Sequence, residues 1–229
     1  MTNDIRVLAF TCSFHRPLML RHCIMQIERQ TYPTDHVVFV NSSEDETPDG
    51  TPIHYHKLLA EFESSSDHRL IIGYGPTKTA HENYLSALHL VDSSDYDLFL
   101  KIDDDDIYYA NYVQAVVYDY LEHGWDYSGS FSDGILKGHR WSPDHKLPDL
   151  GLDEVDKFLG IPSIMPPTAA FSRKAIERIA RAAPDERFDD IYWRRLLAVD
   201  QNMAMSSRDQ SHFVYNVHGS NVSTGSWIK

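Results

Sequence analysis

Short apolar runs of strand length alternate with segments of helical period along the first 123 residues of the chain. Ile5–Phe10 reads as a strand. Pro17 then opens a segment that places Leu20, Cys23, Ile24 and Ile27 on one helical face. Thr31-Tyr32-Pro33 ends that helix, and His36–Val40 follows as a buried strand running into the polar stretch Asn41–Asp49. Leu70-Ile71-Ile72 is a third strand. Thr79 with Glu82 three residues on has capping-box spacing, and it starts a helix carrying Ala80, Tyr84, Leu88 and Val91 on one face. After the apolar run Tyr96–Ile102 comes a helix over Asn111–His123, with Val113, Val116, Val117, Tyr120 and Leu121 inward and Gly124 at its C-terminal stop. Strands separated by helices pair in parallel, so the expected fold class is α/β with an open sheet.

Past residue 123 the pattern loosens. Tyr127–Leu136 reads as a strand pair or ribbon, and Gly138–Pro167 is rich in Pro, Gly and Asp, long enough to be a functional loop region. Helices are expected over Ser172–Arg181 and Asp189–Val199, ahead of a polar tail containing Tyr215-Asn216-Val217-His218-Gly219.

The strand Tyr96–Ile102 runs directly into Asp103-Asp104-Asp105-Asp106. Four carboxylates behind a hydrophobic strand repel one another unless a multivalent cation neutralises them, and hard oxygen ligands suit Mg²⁺, Mn²⁺ or Ca²⁺. The competing reading is a solvated acidic turn. Position decides for a metal site, because strand ends in α/β proteins are where ligands bind. An EF-hand loop is excluded: with Asp103 first, Tyr108 falls where glycine is required and Gln114 where a bidentate Glu belongs.

Composition narrows the classes further. The net charge of −13, from 21 basic and 34 acidic residues, argues against a protein that coats nucleic acid or anionic membrane. No apolar run reaches the ~18 residues of a membrane span, which leaves peripheral membrane contact open. The start Met1-Thr2-Asn3-Asp4 lacks the layout of a signal peptide. Cys12 and Cys23 are too few for a disulfide framework, so reduced thiols and a cytoplasmic location are expected.

Several segments meet a known pattern in order. The first strand runs into Thr11-Cys12-Ser13-Phe14-His15-Arg16-Pro17, the first helix closes on Gln30-Thr31-Tyr32-Pro33, and the second strand ends at Asn41-Ser42-Ser43. Asp103-Asp104-Asp105 has D-x-D spacing, and Asp189-Asp190-Ile191-Tyr192-Trp193-Arg194-Arg195 is an acidic pair opening a helix with Trp and Arg. Together they resemble the GT-A nucleotide-sugar glycosyltransferases, in particular the inverting family 2 type. The chain departs from that type at Asn41, where an acid often reads the base, and at Ala80-His81-Glu82-Asn83, in place of Ala-Arg-Asn.

The resemblance implies a single GT-A-like domain over 1–229 with a mostly parallel Rossmann-like sheet. About 1–123 would bind the nucleotide sugar, and about 124–229 would hold the acceptor and the catalytic base. It implies a sugar transfer from a UDP-sugar to a glycan or other hydroxyl acceptor, with Mn²⁺ or Mg²⁺ as cofactor. Asp105 is then a direct metal ligand, Asp103 contacts ribose or completes the metal shell, and His218 is a further ligand or a solvated tail residue. Asp104 is structural or reaches the donor, while Asp106 contacts the sugar or caps the following helix. Thr11, Ser13, Arg16 and Asn41 stand where strands end and present polar groups to the nucleotide, although Arg16 could equally pair with an acid. Asp190, ahead of Asp189, is the general base, against the alternative of an acid placed by the helix dipole. Trp125, Tyr127, Trp141 and Trp193 stack on sugars or are simply buried. A sugar-nucleotide nucleotidyltransferase and a non-enzymatic carbohydrate- or calcium-binding module are the alternatives. The first needs a glycine-rich basic loop that Thr11–Pro17 lacks, and the second gives no reason for the strand-helix half.

Overall fold

A computed structural model describes residues 4–14, 16–41, 62, 69–75, 80–130, 133–137, 140–142, 166–182, 190–208 and 212–217. In chain order its elements are β1 (Val7–Ser13), α1 (Pro17–Glu28), β2 (Thr34–Val40), β3 (Leu70–Tyr74), α2 (Ala80–Leu88), β4 (Leu98–Lys101), β5 (Ile107–Tyr108) and α3 (Tyr112–His123). There follow β6 (Tyr127–Ser128), β7 (Gly134–Lys137), β8 (Arg140–Ser142), β9 (Ala170–Ser172), α4 (Arg173–Ala180), α5 (Asp190–Ala198) and β10 (Phe213–Val217). The main sheet has six strands in the order β3-β2-β1-β4-β9-β6, the first four mutually parallel, with β9 antiparallel to both β4 and β6. The expected α/β sheet is therefore observed.

Both faces of this sheet are covered, which is why its strands read as unbroken apolar runs rather than alternating ones. Leu8, Phe10, Val37, Phe39, Phe99 and Phe171 face one side, packing with Ala175, Ile176 and Ile179 of α4 and with Trp193 and Leu197 of α5. Val7, Ala9, Leu98 and Leu100 face the other, against Cys23 and Ile27 of α1 and Val113, Val116 and Val117 of α3. Each fully buried side chain of this size contributes about 1.5–3 kcal/mol. Trp125, Tyr127 and Trp193 belong to these clusters, so burial is their role; Trp141 lies in β8, and its side chain is outside what the structure describes. On α3 the stripe runs through Tyr112, Val113, Val116 and Val117, while Leu121 is 51% exposed. Gly124 takes the left-handed cap of that helix, with φ 64° and its N–H donating to the Tyr120 carbonyl, a conformation that glycine reaches without strain.

A second, four-stranded sheet runs β5-β10-β7-β8. The expected ribbon over Tyr127–Leu136 is thereby corrected: β6 lies at the edge of the main sheet and β7 in the second, so the two do not pair with one another. Burial of Tyr127 against Phe171, with ring centroids 5.3 Å apart, ties β6 to the main sheet.

Candidate metal centre

β4 is buried along its length and ends at Lys101; the chain then turns through Asp103–Asp106 and continues as β5. Since β4 belongs to the main sheet and β5 to the second, the acidic turn lies at their junction, at the C-terminal ends of the parallel strands, where open sheets bind ligands. The turn is tied down from two directions. The Asp103 N–H donates to the Tyr108 hydroxyl at 2.9 Å, and that hydroxyl donates to the Pro167 carbonyl at 3.1 Å. Asn216 of β10 donates its side-chain amide to the Asp105 carbonyl at 2.9 Å and its backbone N–H to the Asp106 carboxylate at 2.8 Å.

Carboxylate oxygens of Asp103, Asp105 and Asp106 all lie within 4.8 Å of one another. Asp106 is 3% exposed, and its Oδ2 has no hydrogen-bond partner among the described residues. Burial, reinforced by Asp103 and Asp105 beside it, pushes this carboxyl well above the usual range. A buried charge without a donor is costly, so a proton or a cation must answer it. Lys101, itself 1% exposed, places Nζ 2.6 Å from Asp103 Oδ1 and neutralises part of the cluster. The excess negative charge and the all-oxygen donor set fit a hard divalent cation such as Mg²⁺ or Mn²⁺. Asp106 thus joins the cluster instead of capping a helix, since the residue before α3 is Asn111.

Asp104, Ser13 and Thr11 find partners within the protein. Asp104 stands outside the group of Asp103, Asp105 and Asp106, 2% exposed, with Oδ1 2.9 Å from Arg16 Nη2 and Oδ2 accepting from Ser13 Oγ at 2.6 Å. Burial raises its carboxyl to about 7, prevailing over Arg16 and Ser13, which pull the other way. Ser13 and Thr11, two apart on β1 and so on the same face, are buried there. Thr11 Oγ1 lies 2.9 Å from His36 Nε2 and 3.6 Å from Cys23 Sγ. α1 covers this face of the central strand, with Cys23 and Ile27 packed against Val7 and Ala9. Arg16 remains at the site, ion-paired to both Asp104 and Asp105. Asn41 follows β2 at the same edge, half-buried, its N–H donating to the Ser13 carbonyl at 2.9 Å. Asp190 is the first residue of α5, whereas Asp189 and His218 lie outside the described residues.

His36 is buried and its pKa is lowered to about 3 by desolvation. The unfolded chain therefore binds one more proton than the folded one between about pH 3 and 6.5, and this residue's contribution to stability is lost as pH falls through that window. We predict that His36→Gln, which keeps a partner for Thr11 and cannot be protonated, removes a slope of about 1.4 kcal/mol per pH unit. Urea denaturation of both proteins at pH 4.5, 5.5 and 7 checks this; a stability difference that does not change with pH would refute it.

A cavity of about 650 Å³ lies elsewhere, between α3 and residues Ser206, Ser207, Arg208 and His212, lined by Gln114, Asp119 and His123 among others. None of the expected site residues among those described lines it, so it does not mark the centre described above.

The fold of the chain, with its parallel β3-β2-β1-β4 core, is of the GT-A type and is shared with solved structures that hold nucleotide sugars. A crystal structure of TarS from S. aureus in complex with UDP-GlcNAc matches with a TM-score of 0.69 at 11% identity, covering 98% of this chain and 62% of that one. The mannosyltransferase PcManGT from Pyrobaculum calidifontis, in complex with GDP-Man and Mn²⁺, matches with 0.65 at 14% identity over 96% of this chain and 59% of its own. The 4-diphosphocytidyl-2C-methyl-D-erythritol synthase of Anaerococcus prevotii matches with 0.56 at 11% identity, over 96% and 90%. The chain spans about six-tenths of the length of the TarS and PcManGT structures. No protein-family model and no curated protein matches the sequence.

Proposed function

We propose that the chain is a metal-dependent inverting glycosyltransferase that moves a sugar from a UDP-sugar to a glycan or other hydroxyl acceptor. The observation that carries this reading is the set of three carboxylates, Asp103, Asp105 and Asp106, gathered within 4.8 Å on a GT-A-type fold. Binding of UDP-GlcNAc by TarS, and of GDP-Man with Mn²⁺ by PcManGT, supports it. Asp103, Asp105 and Asp106 hold the divalent ion, Mn²⁺ or Mg²⁺, and His218 of the polar tail adds a nitrogen ligand that suits Mn²⁺ better. When bound, the ion supplies charge neutralisation for the departing diphosphate. Arg16, already beside Asp105, offers its guanidinium to a phosphate oxygen, and Asn41 offers its amide to the base. Asp190, or Asp189 before it, takes the proton of the acceptor hydroxyl. The half up to about residue 123 binds the donor, and the remainder binds the acceptor.

The test is thermal stability with UDP, GDP, CDP and dTDP, each with and without Mn²⁺. A ligand that binds only the folded state at 100 times its Kd adds about 2.7 kcal/mol, so UDP is expected to raise Tm only when Mn²⁺ is present. No response to any nucleotide diphosphate under either condition would defeat the proposal. Release of pyrophosphate from a nucleoside triphosphate and a sugar phosphate would instead establish the nucleotidyltransferase reading.

A further inference from the structure

We infer that Gln26 of α1 is a positioning residue that fixes the carboxylate geometry of the metal centre; the inference rests on the metal reading above. Its side chain bridges the acidic turn with both halves of the amide. Nε2 donates to the Asp106 carbonyl at 3.0 Å, and Oε1 accepts from the Tyr108 N–H at 2.6 Å. This donor-and-acceptor pair, two residues apart, is what a neighbouring strand would present to an edge. β5 is two residues long and pairs with β10 on one side, through Tyr108 opposite Phe213; Gln26 takes the place of a strand on the other.

One helical turn on, Gln30 braces the same arrangement. Its Nε2 donates to the Gln26 carbonyl at 3.1 Å and to the Tyr109 carbonyl at 2.9 Å, and its Oε1 accepts from the Val113 N–H at 3.0 Å. The peptide groups flanking Asp105 and Asp106 are thus held by amides from opposite sides, Asn216 from β10 and Gln26 from α1. Asp106 benefits from such support, because its carboxylate is held only at Oδ1, by the Asn216 N–H, and its buried Oδ2 has no partner among the described residues. Groups that orient metal ligands typically matter by 10–100-fold in metal affinity. Only an amide serves here: glutamate accepts from Tyr108 but cannot donate to the Asp106 carbonyl, and asparagine is one methylene too short for the same bridge.

The experiment measures Mn²⁺ binding without nucleotide, by EPR titration of the full chain, for wild type, Gln26→Glu, Gln26→Ala and Asp105→Ala, alongside the Tm of each metal-free protein. Both Gln26 variants are expected to raise the Kd for Mn²⁺ at least about tenfold and to alter the EPR line shape of bound Mn²⁺. Gln26→Glu retains the bond to Tyr108 and so guards against a variant that merely fails to fold. Wild-type Kd and line shape in both, even with a lowered Tm, would reduce Gln26 to a structural role and overturn the inference alone. If wild type binds Mn²⁺ no better than Asp105→Ala, the metal reading itself is overturned and the positioning role goes with it.

Discussion

Asp105→Ala abolishes Mn²⁺-dependent UDP binding and leaves the metal-free protein folded, with stability no lower than that of wild type. The expectation follows from the crowding of like charges: carboxylate oxygens of Asp103, Asp105 and Asp106 lie within 4.8 Å of one another, where a pair of unit charges near a protein surface interacts by a few kcal/mol, on the order of 4 at 4 Å. Removing one relieves that repulsion, and Arg16 keeps its ion pair with Asp104. Asp106→Asn sharpens the test. The amide oxygen still accepts from the Asn216 N–H that now reaches the Asp106 carboxylate, while the cost of burying a carboxyl whose Oδ2 lacks a partner among the described residues, whether as a charge or by binding a proton, is removed. Metal-free stability should rise by about 1–3 kcal/mol, or about 2–4 °C in Tm for each kcal/mol, while Mn²⁺ no longer adds to it. Calorimetric titration with Mn²⁺ and then UDP decides the matter. A folded Asp105→Ala protein with wild-type Mn²⁺-dependent UDP affinity would remove the metal assignment.

The main sheet was legible in the sequence because burial on both faces leaves its mark in the chain: Val7–Phe10 and Val37–Val40 are unbroken apolar runs, and α1 carries Leu20, Cys23, Ile24 and Ile27 at helical spacing. The acidic turn was legible for a different reason, since four adjacent charges behind a buried strand demand an explanation wherever they occur. What the sequence did not disclose was which way individual polar groups face. Thr11 and Ser13 stand where a central strand ends, and polarity there suits a ligand site equally well as a buried network; their partners, His36 and Asp104, are distant in sequence and supply no local signal. Asp106 was open between sugar contact and helix cap, and only the return of β10 beside it places its carboxylate with Asp103 and Asp105. Gln26 gave no sign at all, because its spacing on α1 is that of an ordinary surface glutamine.

Asp190→Asn lowers kcat by ~10²–10⁴ while leaving Mn²⁺ and UDP affinity intact. An inverting transfer requires a base on the acceptor side, and a base must be rigidly mounted, since small displacements of a catalytic group are costly in rate. α5, which Asp190 opens, meets this need: Trp193, one turn in, is fully buried, its ring centroid 6.3 Å from that of Phe10 on β1 and 5.7 Å from that of Phe171 on β9. The helix is thereby anchored to the strand whose end leads to Arg16, and to the one that pairs with β4 just before the acidic turn. Asp190 is the first residue of the helix, where a carboxylate gains only about 0.3–1 kcal/mol from the dipole, so asparagine costs little stability, keeps the shape and loses the capacity to accept a proton. Initial rates of UDP release at saturating donor, with nucleotide affinity measured in parallel, separate the two roles. A fully active Asp190→Asn protein shifts the assignment to Asp189; full activity in Asp189→Asn as well would mean that no base resides at the start of this helix, and the inverting mechanism built on it would have to be abandoned.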